Sequence, residues 1–330
     1  MNNKRHSPFS PLYKITHETP QHKFNITEWD VNKTFTYFLQ VSNGTIITVS
    51  YNSLYQWNDI SFTKRIFSFK EPNEDDYIKH LIELKEPFQS AYPHKRFAYA
   101  VDKELKVFTI KHKKIELLHS FDNHEWAVTS IISTDPDTIY TSCFDKYIFK
   151  YDLINDELVL RLDAHCWNIN KLIVIEYDDQ VNYASCSYDR FVKVWDALDN
   201  DYQLAEVEHE DAVTDICVCD SGKTILSVCD KGKLRVIEWM EEKVVKEIYI
   251  WKGVSPFLTI HNVNEDLFLI YNSQDNVSVF FNYDIQSVVT IIQGEEYLVK
   301  GVSVYKSTIN KNEFEIYITC SGITYIISNK

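Results

Sequence analysis

Ala184 to Asp196 reads ASCSYDRFVKVWD, and the recurrence of that pattern decides the architecture. Trp195 lies 30 residues after His165, and related runs follow His124 and His209. These three histidines are 41 and 44 residues apart. YTSCFDKYIFKYD closes on Tyr151-Asp152 and LSVCDKGKLRVIE on Ile237-Glu238. Fainter copies centre on Trp57-Asn58 in SYNSLYQWND, on Phe108 in AVDKELKVFTI, on Phe281 in NSQDNVSVFFNYD and on Ile327 in TCSGITYIIS. Self-similarity at a fixed period points to a repeat architecture, here seven units of roughly 41 to 45 residues.

Inside a unit the apolar, β-branched and aromatic residues alternate in runs of five to seven, separated by turn residues, which is the signature of short antiparallel strands. Phe35 to Val41 reads as one strand, Ser42-Asn43-Gly44 as a turn and Thr45 to Ser50 as the next strand. The fifth unit repeats this with Val213 to Cys219, Asp220-Ser221-Gly222 and Thr224 to Val228. Four such strands make a sheet too small to bury both faces alone. Seven sheets set radially bury one another.

On these residues the chain resembles the WD-repeat β-propeller family, whose units of about 40 residues carry Gly-His near the start and Trp-Asp near the end. The resemblance implies an all-β fold: a seven-bladed propeller of four-stranded antiparallel blades. The blades are expected at about 34–76, 77–120, 121–162, 163–206, 207–249, 250–292 and 293–330. Residues 1–22 are expected as a flexible lead and 23–330 as one domain. Trp29-Asp30 lies 28 residues before Trp57, too close for a blade. It is assigned to an N-terminal strand that completes the last blade and closes the ring.

The resemblance also implies a hydrogen-bonded tetrad that fastens each blade, reproduced in the fourth unit by His165, Ser185, Asp189 and Trp195. The third unit has His124, Thr141 and Asp145, with Tyr151 for Trp. The fifth keeps His209 and Ser227, but Lys231 and Ile237 stand for Asp and Trp. The remaining units lack the set, and the residue before each His is Asn123, Ala164 or Glu208. His165, Ser185 and Asp189 also have the composition of a nucleophilic triad. A similar trio in the neighbouring unit favours the fastening role, since an enzyme rarely needs its triad in several copies.

In 330 residues, 34 Lys and Arg stand against 48 Asp and Glu, a formal charge of −14. Phosphate backbones are bound by clustered cations, and no basic run is present, so direct nucleic-acid binding is not expected. The acidic surface keeps the chain soluble or suits a partner with a basic segment. No apolar run reaches the roughly 18 residues of a membrane span, and MNNKRHSPFSPLYK lacks the apolar stretch of a secretory signal. Seven cysteines without framework spacing suggest free thiols in a reducing compartment, cytoplasm or nucleus. Seven glycines are few for so many turns, so Asn and Asp are expected to fill them. Lys70 to Tyr77, KEPNEDDY, reads as an acidic surface loop, and residues 86–96 as an interruption of the second unit.

No phosphate loop, zinc helix or dinucleotide turn is present, and no cofactor or metal is expected. Cys217 and Cys219 share a face of a strand, with Cys229 nearby, but lack a fourth ligand at suitable spacing and read as core residues. The Phe-Arg-Arg-Gly motif of phosphoinositide-binding propellers and the Trp-Asp-x-Arg of cullin adaptors are both missing. What remains is a recognition surface. In propellers of this kind the loops that lead into each blade and the turns between second and third strands line one face. Here those positions hold Trp126, Phe144, Lys146, Trp167, Tyr188 and Arg190. They either dock a partner or seal the gaps between blades, because large rings serve both purposes. The expected function is a non-catalytic scaffold or adaptor that binds proteins within a multisubunit complex. The alternative is a propeller that binds, or acts on, a small molecule or modified protein in its central channel.

Overall fold

The computed structural model describes residues 13–18, 25–29, 37–58, 65–73, 77–86, 94–198, 201–250, 258–275, 277–284, 287–294, 301–306, 314–319 and 324–328. Two strands come first, β1 (Tyr13–Glu18) and β2 (Asn25–Trp29). Sheet one follows as β3 (Tyr37–Gln40), β4 (Ile46–Ser50), β5 (Ser53–Trp57) and β6 (Arg65–Lys70). Sheet two is β7 (Ile78–Glu83), β8 (Arg96–Val101), β9 (Glu104–Lys111) and β10 (Lys114–Phe121). Sheet three is β11 (Val128–Asp135), β12 (Thr138–Cys143), β13 (Tyr147–Asp152) and β14 (Glu157–Asp163). Sheet four is β15 (Ile169–Tyr177), β16 (Gln180–Ser187), β17 (Phe191–Asp196) and β18 (Gln203–Glu208). Sheet five is β19 (Val213–Cys219), β20 (Thr224–Cys229), β21 (Lys233–Glu238) and β22 (Lys243–Tyr249). Sheet six is β23 (Leu258–Asn262), β24 (Leu267–Asn272), β25 (Val277–Asn282) and β26 (Ser287–Gly294). β27 (Gly301–Lys306), β28 (Phe314–Thr319) and β29 (Thr324–Ser328) form sheet seven. Among the described residues the chain is all-β, and sheets one to five are each an antiparallel meander in sequence order.

The N-terminal strands join sheets far along the chain. β2 pairs antiparallel with β29, Ile26 opposite Ile327 and Trp29 opposite Thr324, and is the fourth strand of sheet seven. β1 pairs with β26 and gives sheet six a fifth strand. The reading of residues 1–22 as a flexible lead is therefore corrected over Tyr13–Glu18. The outermost strand of an open sheet leaves a row of backbone donors and acceptors unpaired, and YKITHE supplies their partners. Several fourth strands also run one or two residues past the expected boundaries, ending at Phe121, Asp163, Glu208 and Gly294.

Position within a sheet sets the burial pattern. Second strands are covered on both faces, so every residue of β8, β20 and β24 is buried. β14, an outer strand, alternates between exposed and half-buried residues, as a sheet edge facing water on one side should. The hydrophobic clusters straddle consecutive sheets. Tyr99 and Phe97 meet Val49 and Leu54 between sheets one and two, and Phe121 meets Phe149 and Tyr151 between two and three. Comparable clusters join three to four, four to five, five to six and six to seven. Phe38 of sheet one meets Tyr317 of sheet seven edge-on, with ring centroids 5.3 Å apart. Each fully buried Leu, Ile, Val or Phe contributes about 1.5–3 kcal/mol.

Two charged residues, one in the stretch read as a surface loop and one in the stretch read as an interruption, are buried. Glu71, in the loop read as acidic surface, is 2% exposed. It accepts hydrogen bonds from the Tyr99 hydroxyl and, at 3.1 Å, from Lys106 Nζ. Arg96, read as part of an interruption, opens β8 and is buried. Its guanidinium donates to Asp137 Oδ1 at 3.2 Å and to the Pro136 carbonyl at 2.7 Å, tying sheet two to sheet three. Residues 87–93 of that stretch lie outside the described residues.

Asp fills many left-handed turn positions, including 102, 156, 178, 179, 201 and 220, as the scarcity of Gly predicts. Asn occupies none among the described residues. His112-Lys113 and Asp178-Asp179 each have two successive positive φ angles, the backbone of a tight hairpin turn. No helix among the described residues is long and apolar enough to cross a membrane.

Candidate functional site

In sheets three, four and five the loop leading into the sheet and the turn between its second and third strands share one end, here called the loop end. Backbone bonds tie them together: the His165 amide donates to the Lys146 carbonyl at 3.4 Å, and the His209 amide to the Arg190 carbonyl at 2.8 Å. In sheet four, His165 Nδ1 donates to Asp189 Oδ2 at 2.8 Å, and its Nε2 accepts from Ser185 Oγ at 2.7 Å. Trp195 Nε1 donates to the same Oγ at 2.9 Å. Asp189 further accepts from the Cys166 and Phe191 amides at 2.9 and 3.1 Å. Burial opposes its ionisation, but the His165 hydrogen bond and charge together with these amides outweigh it and hold the carboxyl at about 2. Burial pushes the His165 imidazole below its usual range, against the pull of Asp189.

By distance alone His165, Ser185 and Asp189 form the relay of a serine hydrolase. Burial decides against attack on a substrate: Ser185 is 0% exposed, and the Trp195 indole occupies its oxygen. Cys166 is exposed, while its neighbour His165 turns inward.

The neighbouring sheets hold partial versions. In sheet three His124 bonds Asp145 Oδ2 at 3.1 Å and Thr141 Oγ1 at 2.5 Å, and the buried Tyr151 stands in the place of Trp. In sheet five Ser227 Oγ meets His209 Nε2 at 2.9 Å. His209 Nδ1 is left buried and unpartnered, because Lys231 stands at the carboxylate position and turns to Asp211 instead. Burial first, then the Arg235 charge, push His209 down to about 3. The sequence reading found nothing of this set in the first unit. There Trp57 Nε1 donates to Thr48 Oγ1 at 2.9 Å, a pair hidden by the missing His and a spacing one residue shorter.

At the loop end Trp126 and Trp167 occupy equivalent positions on adjacent sheets, and each is 64% exposed. Phe144 is also exposed, at 44%, while Tyr188 is half-buried. Lys146 pairs with Asp163 at 3.0 Å and Arg190 with Glu208 at 2.9 Å, both near the surface. Lys146 and Arg190 also have positive φ, 69° and 81°, at the position where sheet five has Gly232. A left-handed conformation costs a non-glycine residue about 1–2 kcal/mol, and such strain concentrates at functional sites.

The first strands spend their polar side chains on one another. Thr129 Oγ1 donates to the Ile169 carbonyl at 2.7 Å, Asn170 Nδ2 to the Val213 carbonyl at 2.6 Å, and Lys171 Nζ to Asp215 Oδ1 at 2.8 Å. Asp215 Oδ2 accepts the Ile260 amide at 2.9 Å. His80 and His261, on the first strands of sheets two and six, are pushed to about 4 and about 3, chiefly by burial. They are neutral at pH 7.

Cys219 is buried and Cys217 half-buried in the packing between sheets five and six. Two other groups have metal-ligand spacing, His124/Cys143/Asp145 and Asp211/Cys229/Asp230. In the first, His124 and Asp145 already bond each other. In the second, Asp211 is held by Lys231.

The profile of the WD domain, G-beta repeat family matches residues 115–152, 156–196 and 202–238. Over these three stretches the chain carries WD repeats. Each matched WD repeat spans the fourth strand of one sheet and three strands of the next, β10 through β13 in the first case. The sequence repeat thus interlocks neighbouring sheets. A WD repeat domain-containing protein 83 homolog from Dictyostelium discoideum is 25% identical over 120 residues, 36% of this chain and 36% of that protein. Pre-mRNA-processing factor 19 from Caenorhabditis elegans is 30% identical over 90 residues, 27% of this chain and 18% of that protein. The matches therefore span about a third and about a fifth of these relatives.

Proposed function

We propose that the seven sheets are blades of a single ring, closed where β2 pairs with β29, and that the ring is a non-catalytic adaptor docking other proteins within a multisubunit complex. Its docking site is the cluster of Trp126, Phe144, Lys146, Trp167, Tyr188 and Arg190 at the loop end of sheets three and four. The exposure of Trp126 and Trp167, 64% each, carries the reading. Indoles that merely sealed the gap between blades would be buried, as Trp195 is at 4%. Exposed Trp flanked by Arg is the composition of a binding hot spot. The polar groups of the first strands are engaged between sheets, which weighs against a substrate site in the channel. The described cysteines are free thiols, in keeping with the cytoplasm or nucleus.

The test is affinity purification of the tagged chain at physiological salt. Trp167→Ala combined with Arg190→Glu is expected to remove stoichiometric companions that the wild-type chain retains, with a nearly unchanged melting temperature. Undiminished recovery would sink the assignment of the site.

A further inference from the structure

In an antiparallel meander the first-to-second and third-to-fourth turns meet at the end of the sheet opposite the second-to-third turn. At this far end Ile154, Leu198 and Met240 occupy one equivalent place in sheets three, four and five, each three residues beyond Tyr151, Trp195 or Ile237. They are 75%, 73% and 50% exposed, and Tyr202 beside them is 51% exposed. The residue before each is buried: Leu153, Ala197 and Trp239. Every turn therefore places one apolar side chain in the core and the next in water. A single exposed aliphatic residue needs no explanation. The same position exposed on three adjacent sheets makes an apolar row.

The row is held in place. Asp152 Oδ1 accepts the Ile154 amide at 2.7 Å, and Asp196 Oδ1 the Leu198 amide at 2.6 Å. The sheet-four turn is fastened to sheet three through buried Asp201, which accepts from Tyr140 Oη at 2.7 Å and Lys150 Nζ at 2.9 Å. In sheet five, Trp239 Nε1 donates to the Gly222 carbonyl at 2.8 Å, and Glu242 Oε1 accepts the Glu206 amide of sheet four at 2.8 Å. Such a surface loses little conformational freedom on binding.

Its surroundings are acidic. Glu157, Asp178, Asp179 and Glu241 are exposed at this end and form no ion pair among the described residues. The exposed cations in these turns are Lys223 and Lys243, and the β9–β10 turn of sheet two, on the sheet-three side, adds His112, Lys113 and Lys114.

We propose that this far end is a second docking surface, and that its occupant is a basic segment of a partner protein whose apolar side chains cover Ile154, Leu198 and Met240 while its Lys and Arg face the acidic rim. Acidic segments and nucleic-acid backbones are repelled by the same charges. The surface stands independently of the aromatic cluster at the loop end.

The experiment selects displayed random peptides on the immobilised full chain and compares them on Ile154→Ser/Leu198→Ser/Met240→Ser, on Glu157→Lys/Glu241→Lys and on Trp167→Ala/Arg190→Glu. Peptides rich in Lys or Arg with interspersed Leu, Ile or Phe are expected to lose about tenfold or more in affinity on the first variant. They should also weaken on the second and on raising salt, yet bind the third as they bind wild type. All three variants are expected to melt with the wild type. The proposal is overturned if no peptide distinguishes wild type from the serine variant, if those that do are neutral or acidic, or if the loop-end variant abolishes the same binding. Loss on the loop-end variant alone would instead leave the site under Proposed function standing without this one.

Discussion

Replacing Asp189 with Ala removes the anchor of the sheet-four network and tests its role directly. The His165 side chain is 0% exposed, so its Nδ1–H is left without a partner at a cost of about 1–3 kcal/mol. The Cys166 and Phe191 amides, nearer water, add on the order of 0.5 kcal/mol each. The expected total is about 3 kcal/mol. Unfolding entropy of about 2.1 cal/mol/K per residue over 330 residues converts this to a fall of roughly 4 °C in Tm. Asp189 titrates near 2 in the fold against about 3.9 when unfolded. Its contribution is therefore complete above about pH 5 and is lost as pH falls through 4 towards 2. The difference between wild type and variant should fade over that window. Scanning calorimetry is the assay, extended to His165→Ala and the double variant. Because the two side chains share one bond, the double change should cost at least 1 kcal/mol less than the sum of the singles. A Tm shift below about 1 °C, or strict additivity, would refute the reasoning.

Two further outcomes follow from the same geometry. Lys231→Asn gives His209 Nδ1 the acceptor it lacks without adding a carboxylate beside Asp211 and Asp230, at the loss of an ion pair exposed at Lys231 but only 11% exposed at Asp211, worth about 1 kcal/mol. A net stabilisation of about 1 kcal/mol is expected in chemical denaturation, and a lower midpoint would contradict the assignment of that position. Gly222→Ala places a Cβ 2.3 Å from the Glu176 carbonyl oxygen of sheet four, at a φ of +93°. It should destabilise by about 3 kcal/mol or more, and a midpoint within measurement error of wild type would show that this contact between sheets yields.

Strands, turns and the three strongest repeats were legible because each rests on local chemistry. Alternation at period two marks a strand, and the spacing of His165, Ser185, Asp189 and Trp195 follows from two paired strands and a fixed turn. The fifth-strand role of β1 was not legible, since its partner β26 lies over 260 residues away in sequence. Nor was the Thr48 to Trp57 pair, which lacks the histidine that flags the others. Glu71 was read as part of an acidic surface loop and Arg96 as part of an interruption, yet both are buried, against the average exposure of charged residues. Their partners, Tyr99 with Lys106 and Asp137, come from other strands or another sheet.

The sequence by itself determined an all-β chain of short meander units and which residues could bond within each unit. Tertiary structure alone decided which of those residues water can reach. Ser185 has the neighbours of a nucleophile but is sealed by Trp195 and the adjoining sheets, whereas Trp126 and Trp167, and on the opposite end Ile154, Leu198 and Met240, are left uncovered. Burial is set by the sheet packed alongside, and no local pattern of alternation records which sheet that is.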